Sequence, residues 1–466
     1  MMKLSVVILA AGQSTRMKSD VPKVLHPVAG RPMIRYGVNA AQHLGAGRPA
    51  LVIGHCGDQV RAALGDEAEY VEQTDRLGTG HAVMQARTLL ESRGGSVLVF
   101  YGDMPLLRTE TLQSLVDLHE ENRHHSPMTI LTVVADDPMG FGRIMRDTTG
   151  RVLSVVEEAV ATEDQRKIRE LNCGVYCFES DWLWPHLDQI DLSPKGEYYL
   201  TDLVEMAADE EYQIAAWTID DVTEVLGINN RVQLANAEGV IRRRINEHWM
   251  HAGVTMVDPA TTYLEADVQI GRDTVIYPNT HVKGSSQVGK RCQLGPNSII
   301  CDSNVGDGCR LLASVVESAI LEDGAEIGPF GHLRKGAHLG AGVHLGNFGE
   351  VKNSYLGAGT KMGHFSYLGD AQVGENVNIG AGTITCNYDG VNKHQTVIDD
   401  GAFVGSDSML VAPVHIGAGA KTGAGAVVTH DVPAGAVAYG VPARTQKLDQ
   451  SESDSQDQSS THVESE

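Results

Sequence analysis

Apolar β-forming residues recur in short runs through the first half of the chain, at Val6–Leu9, Ala50–Ile53, Val97–Phe100, Thr129–Val134 and Gly174–Phe178, with stretches of helical character between them. This alternation over residues 1–228 predicts an α/β sheet domain. Between Asn229 and Met250 the apolar positions Val232, Leu234, Ala237, Val240, Ile241 and Ile245 fall at helical spacing, which predicts a connecting helix over 229–250. Its run Arg242, Arg243, Arg244 reads as a solvated helix face.

Beyond residue 251 the period changes to six. Apolar residues stand at Ile270, Ile276, Val282, Val288, Leu294 and Ile300, again at Leu321, Ile327, Leu333, Leu339, Leu345 and Val351, and again at Ile398, Val404, Leu410 and Ile416. In most units the next residue is small or Gly, as in IGRDTV and LGAGVH. Such a hexapeptide repeat predicts one short strand per unit and three units per coil, stacked as a parallel β-helix over 251–448. The register slips by one between Ile300 and Val305 and between Val351 and Leu356, and the segment TITCNYDGVNKHQ, 383–395, is expected to loop out of the stack. Loops leaving a rigid scaffold are where sites tend to be built. Residues 449–466, rich in acid, Ser and Gln, are expected to be a disordered acidic tail.

Composition sharpens the division. Of 51 glycines, 20 lie in residues 1–250 and 31 in residues 251–450, where the repeat needs tight corners. The balance of 37 basic against 60 acidic residues, a formal charge of −23, argues against non-specific binding of nucleic acid or an anionic membrane. The apolar run Ser5–Ala11 is far shorter than the roughly 20 residues that span a bilayer. It leads into a Gly-bearing turn, as a buried first strand does and a signal peptide does not. Seven cysteines without CxxC spacing indicate neither a disulfide framework nor a zinc cage, and a reducing cytoplasm fits best.

The candidate chemistry begins where the first strand ends. Leu9, Ala10, Ala11 and Gly12 lead to Gln13, Ser14, Thr15 and Arg16, with Pro22 and Lys23 close behind. A Gly-containing turn can present backbone N–H groups to phosphate oxygens while Arg16 and Lys23 supply positive charge. The pattern is neither a Walker A loop nor a dinucleotide fingerprint. It resembles the sugar-phosphate nucleotidyltransferases, whose signature is LAAGxGTRM followed by PK, with Ser14 standing where that family has a second Gly. Asp103, after the run Val97–Phe100, suits a divalent ion held against phosphates. The order of Gln73, Leu77–Gly80, Tyr101–Leu106, Phe141–Ile144, Glu157, Leu171–Gly174 and Gly227–Arg231 resembles the uridylyltransferase half of the bifunctional bacterial GlmU family, from about Lys3 to Lys447.

That resemblance implies a Rossmann-like nucleotidyltransferase domain, a linker helix and a left-handed parallel β-helix. It also implies uridylyl transfer from UTP to N-acetylglucosamine-1-phosphate. Leu9, Ala10, Ala11, Gly12, Lys23, Gln73, Gly78, Thr79, Tyr101 and Gly102 would then meet the nucleotide, and Gly142, Glu157 and Asn172 the sugar. Arg16 and Lys23 would be catalytic cations, and Asp103 and Asn229 would hold Mg²⁺. The attacking group is already an anion, so alignment and charge neutralisation carry the rate.

For the β-helix, a bare stalk is the competing reading. Against it stand Arg334, Lys352, His364, Tyr367, Asn378, Asn387, Tyr388 and Lys393, all within sixty residues. The resemblance implies acetyl transfer from acetyl-CoA to glucosamine-1-phosphate, whose amine must lose a proton before it attacks, and His364 is the candidate base. Arg334 and Lys352 would grip the phosphate, and Tyr367 and Asn378 the sugar. Ala381, Asn387, Tyr388, Ser406 and Ala424 would meet acetyl-CoA, with a backbone N–H near Ala381 on the oxyanion. Where some members carry an Arg for the CoA phosphates this chain has Gly440, leaving Arg444 as the alternative. Cys386 reads either as a small half-buried residue or as a neighbour of the CoA thiol. The resemblance further implies a homotrimer with shared acetyl sites, serving peptidoglycan and lipopolysaccharide synthesis. A nucleotidyltransferase on a stalk is disfavoured by His364 with Asn387 and Tyr388, and a silent regulatory subunit by the intact Arg16, Lys23, Asp103 and Asn229.

Overall fold

A computed structural model describes residues 3–12, 15–54, 56–138 and 140–446. Ser14 and the acidic tail at 449–466 lie outside the described residues. Internal contacts divide the chain into two compact units, Met1–Ile241 and Arg242–Glu466.

The first unit is built on a twisted sheet whose main spatial order is Ala215–Ile219, Met128–Val134, Glu170–Glu179, Ser96–Tyr101, Leu4–Ala10, Ala50–Ile53 and Glu69–Glu72. All neighbours are parallel except Glu170–Glu179, which runs against both of its own. Alternate residues of the central strands enter two separate cores: Val7, Leu9, Val97 and Val99 face one, and Val6, Ile8, Leu98 and Phe100 the other. Burial on both faces explains why these strands read as continuous apolar runs. Leu4–Ala10 lies between Ala50–Ile53 and Ser96–Tyr101, so the chain passes first to one side of it and then to the other. The crevice at the carboxyl ends of such diverging strands is where open α/β sheets bind ligands.

The helix Arg231–His251 contains the boundary between the units. Its arginine run is not the solvated face expected: Arg243 is exposed, but Arg242 and Arg244 are half-buried, and the Arg242 guanidinium lies 4.5 Å over the Tyr263 ring. An aromatic partner shelters the stem while the charge keeps a polarisable face.

The second unit is a stack of two- to four-residue strands in three sheets, parallel up to a terminal antiparallel hairpin, with each strand through most of the stack bonded to the one three strands later. This arrangement is consistent with a left-handed β-helix of hexapeptide repeats. Ile276, Leu294, Leu311, Ile327, Leu345 and Met362 form one buried column inside it. The slips noted in the sequence are shortened corners, with Asp302 at φ 46° and Asn353 at φ 45°. Asp and Asn tolerate that left-handed conformation better than most residues.

One expectation needs correcting. The excursion does not begin at 383, because Ile384–Cys386 is a strand of the stack, paired with Tyr367 below and with Met409–Val411 above. The inward position is taken by Thr385, whose buried hydroxyl accepts from Gly369 N at 2.8 Å and donates to Gly369 O at 3.1 Å. A satisfied hydroxyl replaces the apolar residue, so the period breaks while the coil continues. The chain leaves the stack at Asn387 and re-enters at Thr396–Ile398.

Candidate active sites

In the first unit two cavities meet at Asp103. One, of about 350 Å³, is lined by Leu9, Ala10, Ala11 and Gly12 from the end of the first strand, Lys23 from a short 3-10 turn, Gln73, Gly78, Thr79, Tyr101 and Asp103. The other, of about 330 Å³, is lined by Gly142, Glu157 and Asn172, and shares Thr79, Tyr101, Asp103 and Tyr199 with the first. Thus most of the anticipated residues converge, and they divide between the cavities as nucleotide and sugar candidates. Gly102 and Arg16 line neither cavity. The Gly102 N–H donates to Leu9 O at 2.9 Å and locks the two strand ends together, while Arg16 is exposed on the turn Thr15–Met17. Arg76, Glu197, Tyr199 and Thr201 also line these cavities without having been anticipated.

The second cavity is tightly built. A side chain on Gly142 would bring its Cβ to 2.7 Å from Val155 Cγ1, so this wall admits only glycine without rearrangement. Asn172 N donates to Gly142 O at 2.9 Å, and Asn172 Nδ2 donates to the Tyr176 hydroxyl at 2.7 Å. Burial raises the Glu157 carboxyl above its ordinary range, although the Thr201 hydroxyl donates to it at 3.3 Å and opposes the rise. Burial likewise raises the Tyr101 phenol, keeping it protonated as a donor.

The junction is charged. Lys23 Nζ pairs with the Asp103 carboxylate and donates to Asn229 Oδ1 at 2.9 Å, so both oxygens already converge on one cation. Gly227 borders this corner: a Cβ there would stand in ordinary contact distance, 3.7 Å from Asp103 Oδ1 and 3.9 Å from Asn229 Nδ2. A carboxylate and an amide oxygen are hard donors of the kind Mg²⁺ accepts when phosphates and water complete its shell. Among the described residues no cluster of three or more His, Cys, Asp or Glu could hold a metal unaided.

In the second unit the candidates occupy two margins of one sheet. Lys352 ends the strand Gly349–Lys352, and Arg334 follows the strand below, its N–H donating to Val351 O at 2.9 Å. Lys352 in turn stands beside Gly369 of the next coil. A side chain at Gly369 would strike both the Tyr367 hydroxyl and Asn387 Nδ2, so these groups close over that margin. At the opposite margin His364, Ala381, Ser406 and Ala424 stack as one corner, linked by Gly382 N to Phe365 O, Asp407 N to Ala381 O and Gly425 N to Ser406 O. His364, Ser406 and Ala424 are exposed.

The strand Ser366–Gly369 separates the two margins, so within one chain His364 stands roughly 13 Å from the Arg334 and Lys352 margin at strand rise. Asn378 lies on the neighbouring sheet, paired with Lys361 and Phe403. Tyr388 is exposed at the start of the loop and donates to Gly390 O at 2.6 Å. Cys386 is half-buried, and burial raises its thiol. Arg444 is exposed on a terminal hairpin opposite Tyr439.

Two acidic residues went unanticipated. Glu350 pairs with Arg334 at 2.9 Å and lies beside Tyr367 on the sheet face. Asp370 accepts from Asn353 and Asn387. Burial pushes its carboxyl up, but these two hydrogen bonds and the charges of Lys393 and Lys352 outweigh burial and leave it below its ordinary range.

Comparison with known proteins agrees with this division. Residues 6–171 match the MobA-like NTP transferase domain, 267–302 the bacterial transferase hexapeptide and 395–430 the hexapeptide repeat of succinyl-transferase. The bifunctional protein GlmU of Heliobacterium modesticaldum is 49% identical over 439 residues, covering 94% of this chain and 95% of that protein. The chain belongs to the GlmU family. GlmU of Exiguobacterium sibiricum is 47% identical over 444 residues, 95% of this chain and 98% of the relative, and GlmU of a Geobacillus species is 47% identical over 438 residues, 94% and 95% respectively. As in the GlmU proteins it resembles, a nucleotidyltransferase unit and a hexapeptide transferase unit share one chain. No described helix is long and apolar enough to cross a membrane.

Proposed function

We propose that this chain makes UDP-N-acetylglucosamine in two steps. The β-helix transfers acetyl from acetyl-CoA to glucosamine-1-phosphate, and the first unit then transfers uridylyl from UTP to N-acetylglucosamine-1-phosphate with release of pyrophosphate. The observation that carries the reading is the pair of cavities meeting at Asp103, one walled by the Gly12 turn and Lys23, the other by Gly142, Glu157 and Asn172. A nucleotide and a sugar phosphate placed in them would present reacting groups to each other at the Lys23 ammonium.

The sugar-phosphate oxygen attacks the α-phosphorus of UTP, a P–O bond forms, and the bond to pyrophosphate breaks. No general base is required, so the side chains orient and neutralise. Lys23 supplies charge at the junction, the Gly12 turn offers N–H groups to phosphate, and Asn172 and Glu157 fix the sugar. Asp103 and Asn229 would hold Mg²⁺. When bound, Mg²⁺ neutralises charge on the departing pyrophosphate.

In the second unit His364 takes a proton from the glucosamine amine. The freed nitrogen attacks the thioester carbonyl, and the CoA thiolate leaves. Arg334 and Lys352 hold the phosphate, Tyr367 and Asn378 the sugar, and the corner of Ala381, Ser406 and Ala424, with Asn387 and Tyr388, meets acetyl-CoA. The separation of His364 from Arg334 and Lys352 within one chain supports a site completed by a second copy, as in the homotrimer that the family resemblance implies. We assign 1–228 as the uridylyltransferase domain, 229–250 as the linker helix and 251–448 as the acetyltransferase domain, in a cytoplasmic enzyme of envelope polysaccharide synthesis.

The test is an assay with glucosamine-1-phosphate, acetyl-CoA, UTP and Mg²⁺ that follows CoA thiol and pyrophosphate separately. Both are released by the intact chain. His364→Ala loses thiol release, and when supplied with N-acetylglucosamine-1-phosphate it keeps pyrophosphate release; Asp103→Ala does the reverse. Pyrophosphate release alone, and only with N-acetylglucosamine-1-phosphate supplied, refutes the acetyltransferase half.

A further inference from the structure

Resting on the acetyltransferase reading above, we infer that Asp370 is a positioning residue for acetyl transfer, pinning both ends of the 387–395 loop to the coil that carries Lys352 and Tyr367. Four contacts converge on this one residue. Its N–H donates to Lys352 O at 3.1 Å, and its carbonyl accepts from Thr396 N, where the chain re-enters the stack, at 3.2 Å. One carboxylate oxygen accepts from Asn353 Nδ2 at 2.6 Å, and the other from Asn387 Nδ2, where the chain leaves the stack, at 2.5 Å. A stack alone requires only the backbone pair. The carboxylate spends one oxygen on a residue of the coil below and the other on a residue of the loop.

The position is shaped for this task. Asp370 sits at a corner with φ 50°, a left-handed conformation that Asp adopts more readily than most residues. Gly369 beside it carries no side chain, and the Tyr367 hydroxyl and Asn387 Nδ2 occupy the space a Cβ would fill. The loop itself is internally braced, with Asp389 accepting from Val391 N, Asn392 N and His394, and His394 N donating to Asn387 O at 2.8 Å. It therefore moves as a unit about its attachments, and Asp370 is what fixes that unit relative to Lys352 and Tyr367. Asn387 and Tyr388 are then held where an acceptor sugar phosphate and a thioester can meet them together.

The conservative variant D370N is discriminating, because an amide has a single acceptor oxygen and its NH₂ must face one of the two donor amides. With the intact chain, D370N and N387A, thiol release is measured against glucosamine-1-phosphate and acetyl-CoA, with pyrophosphate release and amide hydrogen exchange over 387–396 recorded in parallel. In D370N, exchange in the loop rises about tenfold and kcat/KM for acetyl transfer falls about tenfold, mainly through KM, as expected for losing one charge-assisted hydrogen bond. Pyrophosphate release from N-acetylglucosamine-1-phosphate stays within twofold. The double variant D370N/N387A is no worse than N387A, since the two act through one contact. Unchanged thiol kinetics or unchanged loop exchange in D370N overturns the inference, and so do additive losses in the double variant. Absence of thiol release from the intact chain instead overturns the acetyltransferase reading beneath it.

Discussion

Arg143 offers a test of how the sugar-side cavity is held, because its two attachments are unequal. The side chain is fully buried, pairs with Glu158 and donates through Nη1 to the Phe141 carbonyl, so it ties the 140–142 wall to the segment carrying Glu157. Glu158, by contrast, is 37% exposed. Replacing it in E158Q leaves a guanidinium in the interior without a counter-charge. Breaking a buried pair in this way costs about 3–5 kcal/mol, and access of water to the half-open Glu158 position reduces that to about 2 kcal/mol. In R143M the buried charge disappears and Glu158 turns to solvent. The main loss is then one charge-assisted hydrogen bond to Phe141, about 1.5–3 kcal/mol. Part of that is offset, since Arg143 Nε and Nη2 have no hydrogen-bond partner among the described residues and gain nothing from burial. A net of about 1 kcal/mol follows, equivalent to roughly 2–4 °C in Tm for a unit of this size, against twice that for E158Q. Both variants break the tie between the 140–142 wall and the segment carrying Glu157, so KM for N-acetylglucosamine-1-phosphate rises about tenfold, or 1.4 kcal/mol, while KM for UTP stays within twofold. Calorimetry and initial rates of pyrophosphate release read these quantities. R143M less stable than E158Q, or a UTP KM that rises as far as the sugar's, refutes the reasoning.

Two further outcomes concern stability. Burial lowers His119 from 6.5 to about 4, so the unfolded chain takes up the proton first; stability is intact above pH 6.5 and is lost as pH falls toward 4. The loss amounts to about 3 kcal/mol, and denaturant midpoints of the first unit between pH 4 and 7 check it, with His119→Gln removing most of the slope. In the β-helix, Thr385→Val strips partners from both Gly369 N and O, which lowers the stability of the second unit by about 1–3 kcal/mol. A melting transition unchanged in that variant contradicts the account of Thr385 as a satisfied inward hydroxyl.

In the first unit the sequence was legible wherever the candidate residues sit at strand ends. The apolar run through Val6–Leu9 marks a strand buried on both faces, and the residues after it and after Val97–Phe100 are thereby placed in one crevice. Glu197, Tyr199 and Thr201 were illegible for the converse reason. They belong to a segment without period, and contacts such as Leu200 N to Thr79 Oγ1 at 3.0 Å join residues more than a hundred apart.

In the β-helix the period discloses the fold but misleads about distance. A coil takes 17 or 18 residues in most of the stack, as from Leu333 to Val351 and on to Leu368, so nearest neighbours in space are a coil apart in sequence. Residues five apart face different margins. His364, Lys352 and Tyr367 look clustered along the chain, yet His364 shares its corner with Ala381, Ser406 and Ala424, whereas Lys352 shares the other margin with Arg334 and Asp370. Counting by coils instead of by residues also recovers Glu350, which stands one coil from Tyr367, and Asp370, 17 residues from Asn387. What counting by residues hides is this division itself, because the two margins of one sheet are separated by the length of a strand and not by any gap in the sequence.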